Sequence, residues 1–383
     1  MLANETAHPS IIDCCVLHAW AEDTELFDHL PQGWREYVGA HVSRRWQEHI
    51  LRGGERPGGR LTSPISVRPP YRSPAGDELP DGPVTGPEQL EQRHLKPNAI
   101  RRALLCHVAG ALLPTLATVN AATACIRAAN DWTQSSWLVG HPELAGTILV
   151  PTQVPEAAAA EIRRMASDRS FSAVLLAGNG LGKPFGHPVY EPIHQAAAEV
   201  GLPIIIRAGG DSLVEAPAYP VAAGAPGTEV ELRVLASQAL MTHVSSLIAQ
   251  GTLARYPELR FLLVGGGVGW VTPFLWRMDA EFRAFRHDAL WLTKPPSVYF
   301  TERFGVGTHP LTVAATVSLE RYLAVDPRLA DVLCYASGFP DREATTPEEL
   351  NDVLPDEWAQ RVLHGNAERL LDLTPAPERA GTR

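Results

Sequence analysis

Aspartate, cysteine and histidine crowd into DCCVLHAW, residues 13–20. Carboxylates, thiolates and imidazoles are the side chains that hold transition metals. On an extended strand successive side chains alternate, so Asp13, Cys15 and Leu17 share one face and Cys14, Val16 and His18 the other. A metal site on one strand needs donors two residues apart. Leu17 has no lone pair to give, and the opposite face offers His18 alone. The stretch therefore predicts small core cysteines with a histidine at the rim.

A second reactive group ends an apolar run. PIIIR, residues 203–207, carries four apolar residues and then Arg207. A guanidinium there must be paired, reach solvent or meet an anionic ligand. Asp211 is the nearest partner for an ion pair; a bound carboxylate or phosphate is the other reading. His243 is expected to open the helix before the sixth strand as a packed or capping residue. VLCYASGFPD ends at Gly338, where a carboxylate would be useful, and Asp341 and Arg342 follow. LRFLLVGGGVGW ends in three glycines, which supply a close turn but no acid, base or ligand. GNGLGK, residues 178–183, fails as a phosphate loop: no Ser or Thr follows Lys183, and PFGHP stands where a helix should open. No Gly-x-Ser-x-Gly elbow, His-Glu-x-x-His helix or Cys-x-x-Cys pair is present.

These groups sit at the ends of strand candidates. Short apolar runs recur at 10–17, 102–108, 146–150, 172–177, 203–207, 259–264, 303–308 and 332–337, with helical stretches between most of them. PEAAAAEIRRMASD, residues 155–168, has proline in its first turn. Residues 243–256 and 270–288 are amphipathic, and a last helix is expected near 355–372. Alternating buried strands and helices predict a parallel sheet, and eight such units predict a closed (β/α)8 TIM barrel. In that fold the working groups lie at the C-terminal ends of the strands. Residues 53–87 are rich in proline and glycine and predict a long insertion after the first strand, a loop or lid. We expect one barrel domain over 1–373 and a frayed tail over 374–383.

The bulk properties suit a globular enzyme. The chain has 383 residues, 33 basic against 43 acidic, and a formal charge of −10. Such a balance disfavours nucleic acid and anionic membrane as partners. Five cysteines without dense spacing suit a reducing cytoplasm. The first residues predict no signal peptide, and no apolar run predicts a membrane span.

Longer phrases carry a resemblance. IIDCCVLHAW, LPQGWREYV, NDWTQSSWLVGHPELAGTILVPTQVPEAAAAEIRRM, YEPIHQAAAEVGLPIIIRAGG, SSLIAQGTLARYPELRFLL, FLWRMD, LTKPPSVYF and HGNAERLLDL together resemble the amidohydrolase-related family, amidohydrolase 2. The likeness runs from about residue 10 to 373, in one order. It belongs to the branch of aminocarboxymuconate-semialdehyde decarboxylase and γ-resorcylate decarboxylase. The resemblance implies a distorted (β/α)8 barrel with one divalent metal, zinc or manganese, hydrolysing or decarboxylating small acids, often as a dimer. It also implies metal donors two apart on the first strand, a histidine ending the fifth and an aspartate ending the eighth. Those positions fall on Cys15, Leu17, Arg207 and Gly338, and the sixth-strand group falls on Gly265, or on Val264 if the register slips by one.

The leading expectation from this pattern is a catalytically degenerate, metal-free homologue without a cofactor. It would serve as a structural or regulatory subunit, as a homodimer or with an active amidohydrolase paralogue. A second is a repurposed enzyme or binding protein for a small carboxylate, with Arg207 and Arg342 as binding groups and Cys15, His18, His243 or Asp341 as reactive ones. A third keeps the family's metal-dependent hydrolysis or decarboxylation with one divalent ion.

Overall fold

A computed structural model describes residues 10–20, 23–41, 84–111, 113–116, 118–208, 229–311, 321, 324–341 and 343–373. Eight strands form one sheet in the order β1 to β8, each parallel to its neighbours. They are β1 Ile11–His18, β2 Ile100–His107, β3 Leu144–Leu149, β4 Phe171–Leu176, β5 Ile204–Arg207, β6 Phe261–Val264, β7 Phe304–Gly307 and β8 Leu333–Cys334. Backbone bonds close the ring between β1 and the segment after β8: Cys14 N–H to Tyr335 at 2.9 Å, Leu17 N–H to Phe339 at 2.7 Å, Gly338 N–H to Cys15 at 3.0 Å. The chain is the (β/α)8 barrel that the alternation of strands and helices predicts.

The strands FSAVLL, IIIR and FLLV are apolar runs because helices cover their outer faces while their inner faces meet. The covering helices include α1 Val119–Thr133, α2 Pro155–Met165, α3 Glu191–Val200, α4 Glu229–Ala249 and α5 Val271–Ala284. Proline opens α2, as expected, where its missing N–H costs nothing. One helix differs from expectation. α4 begins at Glu229, so His243 lies in its interior and neither opens nor caps it. Apolar side chains run all round α4, which hides its start from a periodicity argument.

β1 also departs from simple alternation. Asp13 pairs with Ala103 and Val16 with Leu105, three residues against two. This bulge between Asp13 and Val16 resets the faces. By its partners, Asp13 shares a face with Val16 and His18, not with Leu17. The carboxylate then holds the bulge: Asp13 Oδ1 accepts from Cys15 N–H at 3.1 Å and from Ser337 N–H at 2.9 Å.

Of the insertion expected at 53–87, residues 84–87 are described and the rest lies outside the described residues, as does the tail 374–383. Among the described residues no helix is long and apolar enough to cross a membrane.

Candidate active site

The C-terminal ends of β5, β7 and β8 bring the central groups together. Arg207 ends β5, partly buried, paired in register with Val264 of β6. Its charge is felt at Cys15, His107 and His309. Nη1 of Arg207 is buried and has no hydrogen-bond partner among the described residues. Nor does any described carboxylate form an ion pair with it; Asp211, the partner considered from sequence, lies outside the described residues. An unmatched guanidinium N–H in a buried place is costly unless something anionic fills it.

Gly265, at the end of β6, sits with φ +83° beside Ala208, where an added Cβ would stand 3.2 Å from the Ala208 carbonyl oxygen. The first of the three glycines thus allows β6 to leave its strand close behind Arg207. The glycine run is a matter of backbone clearance, as expected.

His309 follows β7 by two residues and is 8% exposed. Sequence reasoning passed over it. Nδ1 is buried without a partner among the described residues. Burial lowers its pKa, the nearby Asp341 and Glu343 carboxylates oppose that, and Arg207 adds to it. The ring lies against Gly338: a Cβ there would come within 2.5 Å of the imidazole, and Gly338 has φ +69°. Imidazole therefore takes the space that a side chain at 338 would need.

The remaining sequence candidates scatter. Cys15 pairs with the Cys106 thiol and Cys14 with Cys334; that bonding, then burial, raises both pKa values well above the ordinary thiol range. A protonated, buried thiol is a poor nucleophile. His18 turns away from the mouth, its Nε2 3.0 Å from Thr133 Oγ1 and its ring stacked on Trp132. Burial takes its pKa down to about 3, so it stays neutral. His107 packs at 4.7 Å from the His18 ring in the same aromatic layer, with Trp20 and Trp132. Its Nδ1 accepts from Ala109 N–H at 3.0 Å, which puts the proton of the neutral ring on Nε2. His243 Nδ1 accepts from Phe185 N–H at 3.1 Å and its ring stacks on Phe185, a packing role. Asp341 stands near the mouth, 3.9 Å from Arg233, and accepts from Glu343 N–H. Arg342 lies outside the described residues.

Asp13 and His94 form a separate buried pair, Oδ2 to Nε2 at 2.8 Å, with His94 stacked on Phe339. It ties β1 and the turn after β8 to the helical segment before β2. Sequence reasoning placed Asp13 on the Cys15 face without giving it a role; in the fold it is a seam residue.

Residues 89–373 match Amidohydro_2, the amidohydrolase family. The chain belongs to that family. Over 199 residues it is 27% identical to γ-resorcylate decarboxylase from Rhodococcus jostii (strain RHA1), a match covering 48% of this chain and 57% of that relative. The match thus spans little more than half the length of that curated relative. Among solved structures, 5-carboxyvanillate decarboxylase from Sphingomonas paucimobilis superposes with a TM-score of 0.65 at 19% identity, covering 96% of this chain and all of that one. The 5-carboxyvanillate decarboxylase from Novosphingobium aromaticivorans, complexed with manganese and 4-hydroxy-3-methoxy-5-nitrobenzoic acid, gives 0.63 at 18%, covering 95% and 96%. At these identities the structural likeness establishes the barrel.

The expectations of a degenerate, metal-free subunit and of no cofactor are corrected by these relatives, which are named as decarboxylases and include one crystallised with manganese. The physical reason lies partly in β1. Reading Cys15 and Leu17 as vacated ligand positions took β1 as one regular strand, and the bulge between Asp13 and Val16 places Cys15 in an irregular stretch. A residue pattern at strand ends also says nothing of donors that loops bring in. The donors described at the mouth do not themselves make a metal site: among the described residues no three His, Cys, Asp or Glu side chains stand together. Structural zinc needs about four such donors and catalytic zinc about three. The described residues alone therefore do not complete a divalent-metal site, and we derive no chemical step through one.

Proposed function

We propose that this protein decarboxylates or hydrolyses a small carboxylic acid at the C-terminal mouth of its barrel, as a metal-dependent enzyme of the amidohydrolase 2 type. The reading is carried by the 199-residue likeness to γ-resorcylate decarboxylase within the family match. The unsatisfied guanidinium of Arg207 accords with an acidic substrate. The cofactor of this reading is one divalent metal, manganese or zinc. Asp341 is the remaining candidate for proton transfer among the groups picked from sequence, since Cys15 is held as a thiol and His18 and His243 are packed elsewhere. A cytoplasmic location and assembly as a homodimer or with an amidohydrolase paralogue belong to the same proposal. Five free, buried cysteines accord with a reducing compartment.

The test is turnover. Purified protein, stripped with chelator and reloaded with MnCl2 or ZnCl2, is incubated with 2,6-dihydroxybenzoate and with 5-carboxyvanillate. Release of carbon dioxide is followed together with loss of the acid by chromatography. Metal-stimulated loss of the carboxyl group is expected. A folded, metal-supplied protein that leaves both acids untouched, and a wider panel of hydroxybenzoates and carboxamides with them, overturns the reading.

A further inference from the structure

We propose that Arg207 and His309 form a carboxylate-binding subsite at the barrel mouth, with Arg207 as the fixed cation and His309 as a second hydrogen-bonding group. The proposal rests on the reading of the substrate as a small carboxylic acid and adds the residues that hold it. Three observations carry it. Nη1 of Arg207 is buried and unpartnered among the described residues, while the residue as a whole keeps partial exposure. His309 is more than nine-tenths buried, its Nδ1 is likewise unpartnered among the described residues, and it follows the end of β7, one strand removed from the end of β5 that carries Arg207, whose charge acts on it. Gly338 has no side chain, and the His309 ring fills the room one would take, fixing the imidazole at the mouth.

A guanidinium presents planar, paired N–H donors that match a carboxylate, and it cannot lose its proton at neutral pH. With its proton on Nδ1, His309 donates a further hydrogen bond; the ring needs no positive charge to do so. The ordinary cost of burying an arginine then becomes binding specificity: an acid satisfies donors that its neutral counterpart leaves bare. Arg207 also occupies the end of β5 at which the family resemblance implies a metal-binding histidine. The carboxylate, on this geometry, is held by protein donors and its binding survives removal of metal.

Calorimetric titration of the full chain compares 2,6-dihydroxybenzoate with resorcinol, the same ring without the carboxylate, and 4-hydroxybenzoate with phenol, each with and without MnCl2. We expect at least one acid to bind roughly tenfold or more tighter than its neutral partner, also after chelation, with Arg207→Met erasing that difference and Arg207→Lys keeping part of it. His309→Gln should lower acid affinity severalfold and leave the neutral ring unaffected. Equal binding of acid and neutral ring by the unaltered protein overturns the subsite, and that comparison stands even where a variant does not fold. Acid affinity unchanged in folded Arg207→Met overturns it as well. Failure of turnover with acid discrimination intact counts against the activity and not the subsite; turnover with unchanged Arg207→Met binding counts against the subsite alone.

Discussion

Gly338 shows how one residue can fix another. Its φ of +69° lies where a side chain costs about 1–2 kcal/mol, and the His309 ring leaves no room for a Cβ. Gly338→Ala is expected to lower unfolding free energy by about 2–4 kcal/mol, read from the urea midpoint. In a His309→Ala background the penalty should shrink to the conformational part alone; an undiminished penalty would show that the ring is not what opposes the side chain. At this scale the sequence was partly readable. Arg207 announced itself because a charge after four apolar residues has few places to go. His309 did not, because THP carries no periodic signal and its neighbours, Arg207, Gly338 and Asp341, come from other strand ends. Gly338 was noticed for the carboxylate it lacks, whereas its role is to make room.

Elements are held in place by buried amides that two of the recognised phrases contain. Asn130, in NDW, sits 1% exposed in α1 and treats β3 as a strand neighbour would. Its Nδ2 donates to the Leu149 carbonyl at 3.0 Å and to Glu161 at 2.7 Å, and its Oδ1 accepts from Leu149 N–H at 2.8 Å. Glu161 of α2 is buried too, bonded by Arg164. Asn366, in HGN, donates to the carbonyls of Ala330 and Leu333 and so seats the last helix under β8. Asn130→Ala strands the Leu149 N–H and takes one donor from the buried Glu161 carboxylate, which Arg164 still holds. A loss of about 2–4 kcal/mol is expected in chemical denaturation, with Asn366 variants as the independent comparison. A loss below roughly 0.5 kcal/mol would mean that water replaces the amide. All eight strands were legible from apolar runs, since parallel strands buried on both faces cannot look otherwise. The β1 bulge was not, because it is defined by the spacing of β2 opposite and leaves no mark in β1 itself.

The whole molecule is a barrel with an uneven circumference. From β4 to β7 the strands pair by regular ladders and β3 shifts register once against β4, whereas β8 is two residues long and the segment after it meets β1 through three backbone bonds around a bulge, with Asp13 bridging the gap. Outside, Trp276, Phe285, Leu290 and Trp291 stand exposed on and after α5, the largest apolar side chains that the described surface leaves uncovered there.

That thin closure has a consequence for how the protein breathes. A ring opens first where its circumference is weakest, and local opening lets solvent deuterium reach amides that the static fold hides. Amides of Cys14, Leu17 and Gly338 should therefore take up deuterium well before those of Ile204 and Ala208, which donate across to the chain at and before β6. Mass spectrometry of deuterium uptake, peptide by peptide, reads the difference; equal protection at both places would show that the Asp13 clasp is as strong as a full ladder. Because Gly338 lies on this clasp and against His309, each such opening also loosens the wall of the mouth, so the rate at which the seam parts sets an upper limit on how long the mouth keeps one shape.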